Sequence, residues 1–120
     1  MGHSLIWLAS IINLIQMRQF DVFDNPISRA KRDFPFVAIL QSEVANTGRD
    51  RIVAPLVPRK RMAKLAGRLT PLVSVAGVEH VLLVPRMTSV AATDLRVTKA
   101  QLTSYRDVIV SAIDFLFLGV

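Results

Sequence analysis

The longest periodic stretch of this sequence lies at its end, and it restricts the fold more than any other feature. Leu102, Tyr105, Ile109, Ala112, Ile113 and Leu116 recur at the three- and four-residue intervals of one helical face. In front of them, Thr98-Lys99-Ala100-Gln101 matches a capping box, in which a hydroxyl and an amide satisfy each other's neighbouring N–H groups. The final turns, AIDFLFLGV, are apolar almost all round. Phe115, Phe117, Leu118 and Val120 cannot all face one core, so a second subunit or a target macromolecule is expected to cover some of them.

Ahead of that helix the sequence breaks into pieces of strand length. Phe20 and Val22 alternate with polar residues over 19–23, and Asn25-Pro26 opens a charged loop that Pro35 closes. Phe36–Leu40 (FVAIL) is a continuous apolar run, suited to a strand buried on both faces. Arg51–Val57 is a further strand in which Pro55, unable to donate to a ladder, predicts a bulge or an edge. Leu72–Ala76 and Glu79–Val84 are expected to form a hairpin about Gly77-Val78, with short extended pieces at Thr88–Val90 and Leu95–Val97. One other helix is expected behind Pro58: Met62, Leu65, Ala66 and Leu69 share a face, and Arg59, Lys60, Arg61, Lys64 and Arg68 cover the rest. Short strands followed by one terminal helix read as α+β, mainly β: a small antiparallel barrel-like domain.

Residues 1–16 carry no Lys, Arg, Asp or Glu, and their apolar run, Leu5–Ile15, is shorter than the roughly 20 residues a spanning helix needs. No positive n-region or small-x-small cleavage site marks a secretory signal. The readings are a mis-assigned start with Met17 as the true one, a short helix packed on the domain, or a membrane-surface anchor; the first is favoured because a strand pattern opens directly at Met17. The organisation expected is therefore an apolar extension over 1–16 and one domain over 17–120.

Chemistry is conspicuous by what is lacking. With no cysteine, disulfides, thiolate catalysis and Cys-based zinc sites are excluded, and His3 and His80 have no metal-ligand spacing. No phosphate-cradling glycine motif and no serine in a nucleophile-elbow context occurs. Glu79 and His80 are adjacent and on one strand would point to opposite faces, so they form no acid–base pair, and His80 is expected to be structural. An apolar content of 52% with 20% charged residues is that of a folded chain, and its +6 net charge favours an anionic partner. A binding protein is therefore expected rather than an enzyme, with no cofactor. Two other readings stay open: a ribonuclease using His80, Arg86 and Asp94, and a DNA-binding module using Arg59–Arg68.

Three ordered stretches resemble the CcdB family, the toxins of type II toxin–antitoxin pairs that poison DNA gyrase. They are MRQFDV at 17–22, FVAILQSEVANTGRDRIVAPL at 36–56, and the run from TPLV at 70–73 through MTSV at 87–90 to AIDFLFLGV. The resemblance implies a cytoplasmic homodimer of SH3-like barrels that inserts between gyrase A subunits and traps the enzyme with its DNA cut. It implies gyrase contacts at Leu118, Gly119 and Val120, helped by Asp114 and Phe117, and at the loop pair Val44 and Ala45. It also implies plasmid maintenance, a CcdA-like antitoxin with a disordered segment that wraps the toxin, and operator DNA bound only by the toxin–antitoxin complex. Exposed cations suggest Arg29, Lys31, Arg32, Asn46, Arg49 and Arg51 for the antitoxin region. The best-studied members carry Trp where this chain has Leu118, which offers dispersion and area but no ring to stack. A ribonuclease toxin of the MazF/Kid kind, which shares the barrel fold, is the alternative. Sharing a fold, the two differ by whether a catalytic cleft exists.

Overall fold

A computed structural model describes residues 17–120, apart from Asn46, Thr47, Ala63 and Leu65. The apolar extension 1–16, with its three readings, lies outside the described residues, as does Asn46 of the expected antitoxin set. The described elements are β1 (Asp21–Asp24), β2 (Phe36–Ile39), β3 (Asp50–Pro58), β4 (Leu72–Val75), β5 (Val78–Leu82), β6 (Thr88–Ala91), β7 (Thr98–Gln101) and α1 (Arg106–Leu118). Every pairing is antiparallel, in the order β4-β5-β3-β2-β1-β7, with β6 also on β3. This is a curled, mainly β sheet with one C-terminal helix, the α+β small-barrel class the sequence predicts.

Both faces of the sheet are covered, and β2 shows why its sequence is continuously apolar. Ala38 and Leu40 join the core under α1, built with Val22, Leu56, Leu82, Leu102, Ile109 and Ala112. Val37 and Ile39 join a second cluster on the other face with Phe23, Val53, Val90 and Leu95. Alternation along a strand thus feeds two cores, and polar residues have no place in it. On α1, Ile109 and Ala112 are buried while Tyr105, Ile113 and Leu116 pack against the same cluster, the face expected from their spacing.

Pro55 is at neither a bulge nor an edge. β3 pairs with β6 through Asp50–Val53 and with β5 through Leu56–Pro58, so Pro55 stands where its neighbour on that side changes. Its carbonyl accepts from Leu83 N–H (2.9 Å) on that side, so its missing N–H faces the gap and no ladder bond is lost. The hairpin turn is Ala76-Gly77, one residue earlier than expected; both have positive φ (50° and 81°), the twist that a two-residue β-turn between paired strands requires.

Three other expectations are corrected. Leu95–Val97 is not a strand; the last strand is β7, which pairs with β1. That strand consumes the residues read as a capping box. The Gln101 amide donates to Asp21 Oδ1 (2.6 Å) and its oxygen accepts Thr103 N–H (2.7 Å), so it starts a 3₁₀ turn, Thr103–Tyr105, ahead of α1. The basic helix expected over 59–68 opens instead as a 3₁₀ turn, Arg59–Arg61, that ends at Met62 with φ −142°; within that span Ala63 and Leu65 lie outside the described residues. Gly67 then bridges Thr70, and Met62 and Ala66 pack on Val57, Val81 and Leu83 instead of sharing one helical stripe.

Candidate functional site

The end of α1 projects beyond everything it could pack against. Phe117, Leu118 and Val120 are 65%, 71% and 71% exposed, and Asp114 and Gly119 are exposed beside them. The helix stops because Gly119 takes the left-handed conformation (φ 72°) and donates its N–H to the Phe115 carbonyl (3.0 Å). Gly119, among the gyrase contacts that the resemblance implies, has a role in its own conformation: this cap sets the direction in which Val120 leaves. Phe115 is treated differently from its neighbours: the Arg68 guanidinium carbon sits 4.1 Å from its ring centroid. The unpartnered apolar surface is therefore narrowed to Phe117, Leu118 and Val120.

Val44 is the most exposed large apolar side chain described, at 91%. A tight turn presents it: Ala45 N–H donates to the Ser42 carbonyl (3.1 Å), Val44 N–H to Ser42 Oγ (3.2 Å), and the Gln41 amide to the Ala45 carbonyl (2.9 Å). The turn is tied to the start of the helix, where Gln19 N–H donates to Glu43 Oε1 (3.3 Å) and Arg106 donates to Gln19 Oε1 (3.1 Å). Leu118 lies twelve residues beyond Arg106, ~18 Å along the axis. Within one chain, then, Asp114, Phe117, Leu118, Gly119 and Val120 come together, and Val44 and Ala45 stand apart at the other end of the helix.

The residues expected to meet an antitoxin are also divided. Arg29, Lys31 and Arg32 are exposed in the β1–β2 loop, whose turns are held by Ile27 and Ala30 carbonyls and whose base is fixed by the buried Asn25. Arg49 and Arg51 flank the start of β3, and Arg51 donates to the carbonyls of Gly48 and Asp50 (2.8 Å each). The loop leads into Phe36, opposite Leu56, so the two groups sit about 17 Å apart along β3. Lys31 turns towards a cleft of about 390 Å³ that also holds Asp24, Asp94, Arg96 and Lys99.

His80 is 3% exposed. Its Nδ1 lies 2.8 Å from the Val78 carbonyl, a bond that requires the proton on Nδ1, and Phe36 meets the ring edge-on at 5.6 Å. It is a structural histidine, as its place in an apolar strand predicts, while Glu79 points out to Arg59 (2.6 Å). Arg86 lies over Phe34 and Asp94 lines the cleft near Lys31, so these contacts do not gather the ribonuclease candidates into one site. A groove of about 620 Å³ lies beside α1, between Val108 and Leu72; none of the expected gyrase or antitoxin residues lines it, and of the basic segment 59–68 Arg68 does. Among the described residues no helix is long and apolar enough to cross a membrane, and no His, Asp and Glu cluster could hold a metal ion.

A comparison with protein-family models matches residues 19–119 to the family described as CcdB protein. No curated protein matches the chain. The matched segment spans the whole described sheet and all of α1 and ends at Gly119, so sheet and helix are features of one family domain.

Proposed function

The chain belongs to the CcdB family, whose members are toxins of toxin–antitoxin pairs, and on that premise we propose that it binds the DNA gyrase A subunit and traps the cleaved gyrase–DNA complex. The observation that carries this reading is the projecting apolar tip: Phe117, Leu118 and Val120 are each exposed by about two-thirds on a capped helix end. Burying a side chain of this size stabilises a complex by about 1.5–3 kcal/mol, and nothing among the described residues of this chain covers the tip. Leu118 fills volume in a gyrase pocket, Gly119 lets the two backbones approach, and Val120 brings a branched apolar side chain. Asp114 faces the same side as a charged contact.

The protein acts as a homodimer in the cytoplasm, where gyrase and its DNA are found. Two copies also resolve the separation of the two gyrase-facing groups, since the Val44–Ala45 turn of one copy need not work beside its own tip. The antitoxin contacts Arg29, Lys31 and Arg32 and, near the start of β3, Arg49 and Arg51, with Asn46 three residues before Arg49 in the sequence; an extended segment that folds on binding covers such a span. In the antitoxin-bound form the pair represses its own operator, and loss of the antitoxin releases the toxin, which serves plasmid maintenance.

Gyrase supercoiling, scored for linear DNA with and without the protein, tests the reading. Linear DNA should accumulate with the full chain and be absent with a chain truncated before Leu118, while both melt alike. A truncated chain that still linearises DNA, or a full chain that does not, overturns it. Cleavage of RNA in the absence of gyrase would favour the ribonuclease alternative.

A further inference from the structure

Two basic segments that are far apart in sequence become one face in the fold. Arg61 Nη1 donates to the Arg32 carbonyl (2.9 Å), and the Arg86 guanidinium lies 5.4 Å from the centroid of the Phe34 ring. Phe34 packs on the same cluster as Met62, immediately after the Arg59–Arg61 turn. Arg29, Arg32, Arg59, Lys60, Arg61 and Arg86 are all exposed. Two carboxylates accompany them, Asp33 and Glu79, and Arg59 holds Glu79 at 2.6 Å. Within this patch Arg32, Arg59, Lys60, Arg61 and Arg86 outnumber the two carboxylates by three. Charge segregated in this way is the footprint of a polyanion.

The chemistry of the face selects among polyanions. The antitoxin segment proposed above reaches only the rim of this face, at Arg32; its centre offers an acidic peptide no groove for apolar side chains, because Phe34 is already roofed by Arg86. A single nucleic-acid strand stacks its bases on open aromatic rings, and the same roof removes that platform. The backbone of a duplex needs only spaced cations. Arg59–Arg61 is one 3₁₀ turn, too short to enter a major groove, so no base edge is read. We infer that this face binds the phosphate backbone of duplex DNA without regard to sequence. The inference goes beyond the gyrase reading and does not depend on it.

Anisotropy of a labelled duplex of about 20 base pairs, titrated with the full chain from about 50 to 200 mM salt, tests this without gyrase present. Log affinity should fall linearly with log salt, with a slope of about −4 if four to five phosphates are neutralised. Lys60→Glu should weaken binding about tenfold and flatten the slope by about one. The triple variant Arg32→Glu, Arg61→Glu, Arg86→Glu should abolish binding. Arg96→Glu with Lys99→Glu, on the other basic cleft, should leave the slope unchanged, with thermal melts checking that each variant folds. No duplex binding at low salt, indifference to Lys60→Glu, or tighter binding of a single strand or of polyglutamate than of the duplex would each overturn the inference. Any of these leaves the gyrase assay, which reads the tip, unaffected.

Discussion

Ala76 and Gly119 both hold left-handed backbone, and the difference between them is informative. At Ala76 an L side chain sits at φ 50° in a turn whose partner, Gly77, is at 81°. A left-handed alanine costs about 1–2 kcal/mol, and asparagine tolerates the region better through local hydrogen bonds. Ala76→Asn, giving Asn-Gly at the turn, is expected to stabilise the fold by about 1 kcal/mol, seen as a melting temperature raised by roughly 4–8 °C. Gly119 meets no atom within 4 Å of an added Cβ, so a substitution there acts through backbone strain alone. Gly119→Val should leave global stability nearly unchanged, because the tip lies outside every core cluster, yet unseat the cap and redirect Val120. The expected result is lost DNA linearisation with gyrase at an unaltered melting temperature, restored in part by Gly119→Asn. A substitution that leaves linearisation intact would show that the direction of the tip does not matter.

Along α1 the same reasoning divides the helix into two roles. Ile109 is fully buried under the sheet, while Val108, one residue earlier, is about half exposed beside the groove. Ile109→Ala should cost about 2–5 kcal/mol and Val108→Ala well under 1 kcal/mol, both measured by denaturant midpoint. That stripe could be read from the sequence because the helix packs through contacts at its own periodicity, and β2 could be read because both its faces are buried. The two misread segments failed for a different reason. Gln101 has the spacing of a cap, but its amide is taken by Asp21, some eighty residues away, and its backbone by β1. Met62 and Ala66 have helical spacing, but they are drawn onto Val57, Val81 and Leu83, and Gly67 forms a bridge with Thr70. In each case a long-range partner outweighed a local preference of about 1 kcal/mol. The apolar tip was evident because nothing long-range competes for it. The division of the cations into separate groups along β3, and the joining of Arg32 with Arg61, depended on sheet register that no local pattern encodes.

The sheet is also what makes the molecule one unit. Its two clusters lie on opposite faces, and successive residues supply them in turn: Val53 feeds the cluster with Val90 and Leu95, and Ala54 and Leu56 feed the one under α1. Because both are built on β2 and β3, neither can loosen while those strands keep their ladder, and the ladder has no stability without the burial on both sides. Damage to either cluster should therefore be felt by the whole chain. Val53→Ala and Leu56→Ala, on opposite faces, are each expected to shift a single unfolding transition. Helix signal by far-ultraviolet circular dichroism, which reads the α1 face, and amide hydrogen exchange at Val90, which reads the other, should move together in both variants. The Leu56 variant should cost more, about 2–5 kcal/mol against about 1–3, because it removes more volume. If Val53→Ala separated the two signals, with the α1 face melting later than the Val90 face, the faces would be independent folding units and the shared-strand argument would fail.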